Sequence, residues 1–142
     1  MKPSVKIFGV IVVLILLITT IFSFNKCLWC ENVSVNYPKI QVALPPPDAI
    51  VTSPLFVKGK AKGDWFFEAS FPVRLFDGEG NEIALAIAQA GADWMTTEFV
   101  PFEATLTFTS PTTSAGTLVL EKDNPSGLSE NNEKMYVPVK FQ

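Results

Sequence analysis

From Ala49 to Gln142 the chain offers no stretch that keeps apolar residues at helical spacing long enough to make an amphipathic helix. Short runs rich in Val, Ile, Leu, Phe and Thr are instead cut by Gly, Pro, Asn and Asp roughly every 8–12 residues, the punctuation of antiparallel sheet. The strands expected are Ala49–Val51, Leu55–Ala61, Trp65–Phe76, Glu82–Gln89, Glu103–Thr109, Thr117–Lys122 and Met135–Phe141. Ile40–Ala43 adds an edge strand ahead of them, ended by Pro45–Pro47 because proline brings no N–H to a ladder. In the Ala-rich IALAIAQAGA, Ile83–Ala92, helix competes. Ile83, Leu85 and Ile87 alternate and DGEGN before them reads as a hairpin turn, which favours strand. The fold class predicted is all-β, an antiparallel β-sandwich of about seven strands.

The stretch GDWFFEASFPVRLFDGEGNEI, Gly63–Ile83, sets two charges among aromatic residues. Read as one extended strand, it puts Trp65, Phe67, Ala69, Phe71, Val73 and Leu75 on an apolar face, and Phe66, Glu68, Ser70, Pro72, Arg74 and Phe76 on a mixed one. That is the pattern of a sheet with one wet side. Glu68 and Arg74 stand about 20 Å apart along such a strand, so a partner for either must come from a neighbouring strand. A glycosidase would need a second carboxylate about 5–10 Å from Glu68, and no pattern supplies it. Phe66, Glu68 and Arg74 are therefore candidates for a binding surface, with no catalytic residue assigned.

Ahead of this region, Ile7–Phe24 runs for 18 residues without a charge. As a helix it would span about 27 Å, close to the hydrocarbon thickness of a bilayer. Lys2 and Lys6 precede it, and the positive-inside tendency keeps them cytoplasmic. The exit TTIFSFNKC carries bulky Phe22 and Phe24 where a signal peptidase reads small residues, which favours a retained anchor over secretion after cleavage. The organisation expected is a cytoplasmic 1–6, a transmembrane signal anchor 7–24, a membrane-proximal linker 25–39 and an extracytoplasmic domain 40–142.

After Asn25 the chain holds nine basic and fourteen acidic residues, a formal charge of −5, which lacks the basic footprint of a nucleic-acid binder. Histidine is absent, and with it Ser-His-Asp and Cys-His catalysis. Cys27 and Cys30 have the spacing of a thiol oxidoreductase, but they follow an apolar helix and precede an all-β domain, without the βαβ setting that activates such a thiolate. Two cysteines also fall short of the four ligands of a zinc site. DGEGNE, Asp77–Glu82, resembles the start of a calcium loop, yet the twelfth position holds Ala88 where an EF-hand needs glutamate. Asp123 and Asn124 in DNPSG form a turn that could also hold a ligand. Trp94 and Phe99 in ADWMTTEFVPF suit core or interlayer packing first, since few other large side chains can close the sandwich ends. Stacking on a glycan or anchoring of a protein is the alternative. No metal and no cofactor is expected.

The blocks WFFEASFPV, DW with MT, VPF, LVLEKDNPSG and the closing VPV recur in this order, and from about Ile40 to the C-terminus the chain resembles the bacterial spore-germination immunoglobulin-like domain family. The resemblance implies an immunoglobulin-like sandwich with no catalytic set, working by binding or structural placement at the cell envelope. The partners expected are the membrane, through the anchor, and an envelope protein or cell-wall glycan. Carbohydrate or peptidoglycan recognition through exposed aromatics is the runner-up, and a thiol oxidoreductase a weaker third reading.

Overall fold

The computed structural model describes residues 35–142. The apolar run 7–24, Cys27 and Cys30 lie outside these described residues. Nine strands follow one another: β1 Val35–Asn36, β2 Ile40–Leu44, β3 Ala49–Val51, β4 Leu55–Lys62, β5 Ser70–Asp77, β6 Glu82–Ala90, β7 Phe99–Leu106, β8 Ala115–Glu121 and β9 Lys134–Phe141. They join in a single curled sheet in the order β1-β2-β4-β7-β6-β5-β8-β9-β3. Between β6 and β7 only Gln89 and Ala90 pair, with Glu103 and Phe102. At that narrow seam the sheet turns back on itself, with β1, β2, β4 and β7 on one side and β6, β5, β8, β9 and β3 on the other.

Alternation of side chains builds the core between the two halves. Val100, Phe102, Ala104 and Leu106 of β7 are buried, as are Met135, Val137, Val139 and Phe141 of β9, while the residues between them face water. Phe71 of β5 meets Phe102 of β7 edge-on at 4.9 Å between ring centroids, closing the two halves on each other. Burial of a side chain of this size stabilises by about 1.5–3 kcal/mol.

The expected strands recur with shifts. β7 begins four residues earlier than Glu103, and β1 extends the sheet back into the stretch read as linker. β3 pairs with β9 in parallel, so the sheet is not wholly antiparallel: after Pro45–Pro47 the chain leaves the β2 edge and runs along the opposite edge. IALAIAQ is strand, within β6.

The expected strand Trp65–Phe76 is broken. Gly63–Trp65 forms one turn of 3-10 helix, and β5 starts only at Ser70. Trp65 and Phe66 are both buried, which strict alternation forbids for adjacent residues. Phe67 and Ser70 exchange N–H to O bonds of 3.0 Å around Glu68 and Ala69, whose φ angles of 50° and 62° are both left-handed. This tight reversal breaks the face inferred for Trp65, Phe67 and Ala69, and leaves Phe67 40% exposed. From Phe71 onward the alternation holds, with Phe71, Val73 and Leu75 fully buried.

Candidate functional site at the loop end

Three connections meet at one end of the curled sheet: 63–69 between β4 and β5, 91–98 between β6 and β7, and 122–133 between β8 and β9. The backbone of Gly63 packs on the backbones of Trp94 and Thr96, and the Asp123 N–H donates to the Trp65 carbonyl at 3.1 Å. Lys39, at the entry to β2, accepts the Lys62 N–H on its carbonyl at 2.7 Å and so belongs to the same end.

A ring of four charges laces these segments together. Lys39 Nζ reaches Asp64 Oδ2 at 3.0 Å and Glu133 Oε1 at 2.7 Å, while Lys122 Nζ reaches the same two carboxylates at 3.4 and 3.0 Å. Burial resists ionisation of Asp64 and Glu133, but bonds from Lys39 and Lys122 outweigh it and hold both carboxyls below their ordinary range. Glu133 and then Asp64 raise the Lys39 ammonium above its ordinary value. Next to the ring a cavity of about 300 Å³ is lined by Tyr37, Pro38, Lys39, Trp65, Glu133 and Lys134. The indole N–H of Trp65 is buried and finds no acceptor among the described residues.

The residues singled out from the sequence divide between this end and other places. Phe66 is buried beside Phe71, 5.2 Å between centroids, and is core rather than binding surface. Glu68 stands exposed at the tip of its turn. Trp94 is half-buried against the core edge. Phe99, at the start of β7, lies under the ammonium groups of Lys62 and Lys60, 4.5 and 5.2 Å from its centroid. Asn124 staples its own loop, donating to the Leu128 carbonyl at 2.7 Å and to Asn132 Oδ1 at 2.8 Å. Asp123 sits beside it, half-buried.

Arg74 stands apart, on the outer face of β5. It donates to Glu82 of β6 at 2.6 Å and to Glu121 of β8 at 3.1 Å, so its partners do come from neighbouring strands. Glu82 and Glu121 raise the Arg74 guanidinium. Burial opposes ionisation of Glu121, yet Lys134 and Arg74 together lower its carboxyl. In DGEGNE, Asp77 accepts the N–H groups of Glu79 and Asn81 and the Asn81 amide, which lowers its carboxyl and uses its oxygens in the hairpin turn. Gly80 takes the left-handed position there at φ 86°; Gly78 does not. Among the described residues no group of three or more Cys, Asp or Glu could hold a metal ion.

A model of the family described as the immunoglobulin-like domain of bacterial spore germination matches residues 39–129. The chain belongs to that family. No curated protein and no solved structure matches it. The match opens at Lys39, the first member of the charge ring, and closes inside the third loop of the immunoglobulin-like domain. β9 lies beyond it but supplies four buried side chains to the same core.

Sequence reasoning missed the convergence of the loops. Met95 at 76% exposure and Leu128 at 53% join Phe67 as exposed apolar side chains there. Glu68, Asp93, Asp123 and Glu130 in the same loops make no ion pair among the described residues.

The ion pairs fix the sign of the acid response. Asp64, Glu121 and Glu133 have folded pKa values below the ordinary 3.8, 4.5 and 4.5, so their stabilisation is complete above those values and is lost as pH falls through the depressed ones. Lys39 acts oppositely: its contribution is complete below 10.5 and is lost as pH rises through its raised value. Thermal unfolding followed from pH 7 to pH 2 should show the midpoint falling below about pH 4.5. Glu133→Gln should shallow that acid limb, modestly because the pairs are partly exposed. An identical limb in this variant would assign the acid response elsewhere.

Proposed function

We propose that the chain is a non-enzymatic envelope domain, held at the membrane by its apolar N-terminal run and facing outward, which binds a protein partner through the loop end. The observation that carries this reading is the convergence of three loops bearing exposed Met95, Leu128 and Phe67 with the acidic groups Glu68, Asp93, Asp123 and Glu130. Apolar side chains framed by charge are the anatomy of a protein-binding patch, and loops on a rigid sheet scaffold are where such patches are carried. Family membership supports the germination-related, non-catalytic character of the domain. The shifted carboxyls support it too, since Asp64, Glu121 and Glu133 are ionised and spent on ion pairs.

Envelope protein retained by the full chain should fall about tenfold on combining Met95→Asp with Leu128→Asp, a loss typical of two anchor side chains. Phe56→Ser, on the outer face of β4 away from the loops, should leave retention unchanged. Equal loss in both variants would remove the loop end as the recognition surface.

A second reading, glycan recognition, is favoured by a shallow groove of about 560 Å³ on the outer face of β5, β8 and β9, where exposed Tyr136 lies beside Lys134 and Glu121. An aromatic platform flanked by charged hydrogen-bonding groups suits a sugar. Cosedimentation with isolated peptidoglycan that disappears in Tyr136→Ala, and survives the Met95 and Leu128 changes, would replace the first reading with this one.

A further inference from the structure

Among the described residues, the seam between β6 and β7 leaves most of one edge of β6 without ladder pairing. β6 pairs with β5 from Glu82 to Gln89, but with β7 only at Gln89 and Ala90. The Ala90 N–H donates towards β5, to the Ala69 carbonyl, and the Gly91 N–H donates to Pro101 beside β7. By alternation, the backbone groups of Ala84, Ala86 and Ala88 face β5, and those of Leu85 and Ile87 face outward from the edge. The side chains of Leu85 and Ile87, on the outer face, are 51% and 50% exposed.

Exposed edges in native sheets are shortened, or guarded by Lys, Pro or a bulge. The two terminal edges of this sheet follow that rule among the described residues: β1 has two, and β3 has three, between Pro45–Pro47 and Pro54. β6 has a bulge near Glu82, where Ile83 is left without a partner on β5, but no lysine, proline or further bulge interrupts Ala84–Ala88. From Ile83 to Ala92 there is no charge and no proline. A strand segment of this kind, without ladder partners on one side and without those guards, is a pairing edge.

We propose that β6 pairs antiparallel with β6 of a second copy of this chain, about a two-fold axis at Ala86. The occupant follows from the strand itself, ALAIA, which matches its own reverse: Ala84 falls opposite Ala88, Leu85 opposite Ile87, and Ala86 opposite Ala86. A two-fold contact must be self-complementary in this way. Leu85 and Ile87 of each copy exchange their outward N–H and C=O groups, four hydrogen bonds in all, and their side chains cover each other as two cross-strand apolar pairs. No like charges are brought face to face over the paired segment.

The register is the testable feature, because the run 7–24 could bring chains together by itself. Ala86 opposite Ala86 is a pair without mutual hydrogen bonds, which places its Cα atoms about 4.5 Å apart, within disulfide reach. Ala84 opposite its own copy would be about 14 Å away, out of reach. The full chain, purified in detergent with Cys27→Ser and Cys30→Ser, is oxidised carrying either Ala86→Cys or Ala84→Cys and run on a non-reducing gel. Covalent dimer is expected about fivefold higher from Ala86→Cys, and Ile87→Lys or Leu85→Lys should each reduce it about fivefold, since an edge lysine is a native guard against pairing. Both lysine variants replace half-exposed side chains, and an unchanged unfolding midpoint would show that they fold. Equal dimer from the two cysteine variants, no dimer from either, or dimer indifferent to both lysines would overturn the proposal.

Discussion

Phe71→Ala should destabilise the domain by about 3–5 kcal/mol, the cost of deleting a large buried ring and leaving a cavity. Phe71 is fully buried and is the centre of an aromatic knot, with Trp65 at 6.3 Å, Phe66 at 5.2 Å and Phe102 at 4.9 Å, all edge-on. Its neighbours come from the 3-10 turn before β5 and from β7 across the core, so the cavity cannot collapse without moving both halves of the sheet. Phe67→Ala, four residues earlier, should cost much less, about 1 kcal/mol, because that ring is 40% exposed and outside the core. Urea unfolding followed by tryptophan fluorescence separates the two. Comparable losses at both positions would mean that the Glu68–Ala69 reversal does not form and that the strand runs straight through.

That pair of residues marks where the sequence stops being legible. Phe71, Val73 and Leu75 alternate with Pro72, Arg74 and Phe76, and period-2 patterning identifies β5 directly. The reversal before it has no such mark. Left-handed φ at two consecutive positions normally calls for Gly, Asn or Asp, and Glu68 and Ala69 are neither cheap nor recognisable there. The one local clue is the adjacency of Trp65 and Phe66, two large apolar residues that a half-buried strand cannot both hide. The loop end was illegible for a different reason. Residues 63–69, 91–98 and 122–133 read as three ordinary connections, and only the order β4-β7-β6-β5-β8-β9 brings them to one place. Arg74 lies between these cases: extended geometry requires partners on neighbouring strands, but choosing Glu82 and Glu121 takes the registers of β6 and β8.

Gly63→Ala should cost about 2–4 kcal/mol, more than most additions of a single methyl group to a packed region. A Cβ at Gly63 would lie 1.9 Å from the Thr96 carbonyl oxygen and 2.3 Å from that of Trp94. Both obstacles are backbone, so no side-chain rotation relieves them, and the connection 91–98 must shift. Gly63 also opens the 3-10 turn that buries Trp65, whose carbonyl takes the Asp123 N–H, and that turn carries Asp64 of the charge ring. One methyl group should therefore loosen all three loops together. Gly80→Ala is the control: nothing lies within 4 Å of its added Cβ, and only its φ of 86° opposes the change, at about 1 kcal/mol. Hydrogen exchange at the amides of Phe66, Thr96 and Asp123, each bonded within or between these connections, should speed up in Gly63→Ala and stay unchanged in Gly80→Ala. Faster exchange at Phe66 alone, with Thr96 and Asp123 unaffected, would show that the loops respond separately and that the loop end is three neighbouring turns instead of one surface.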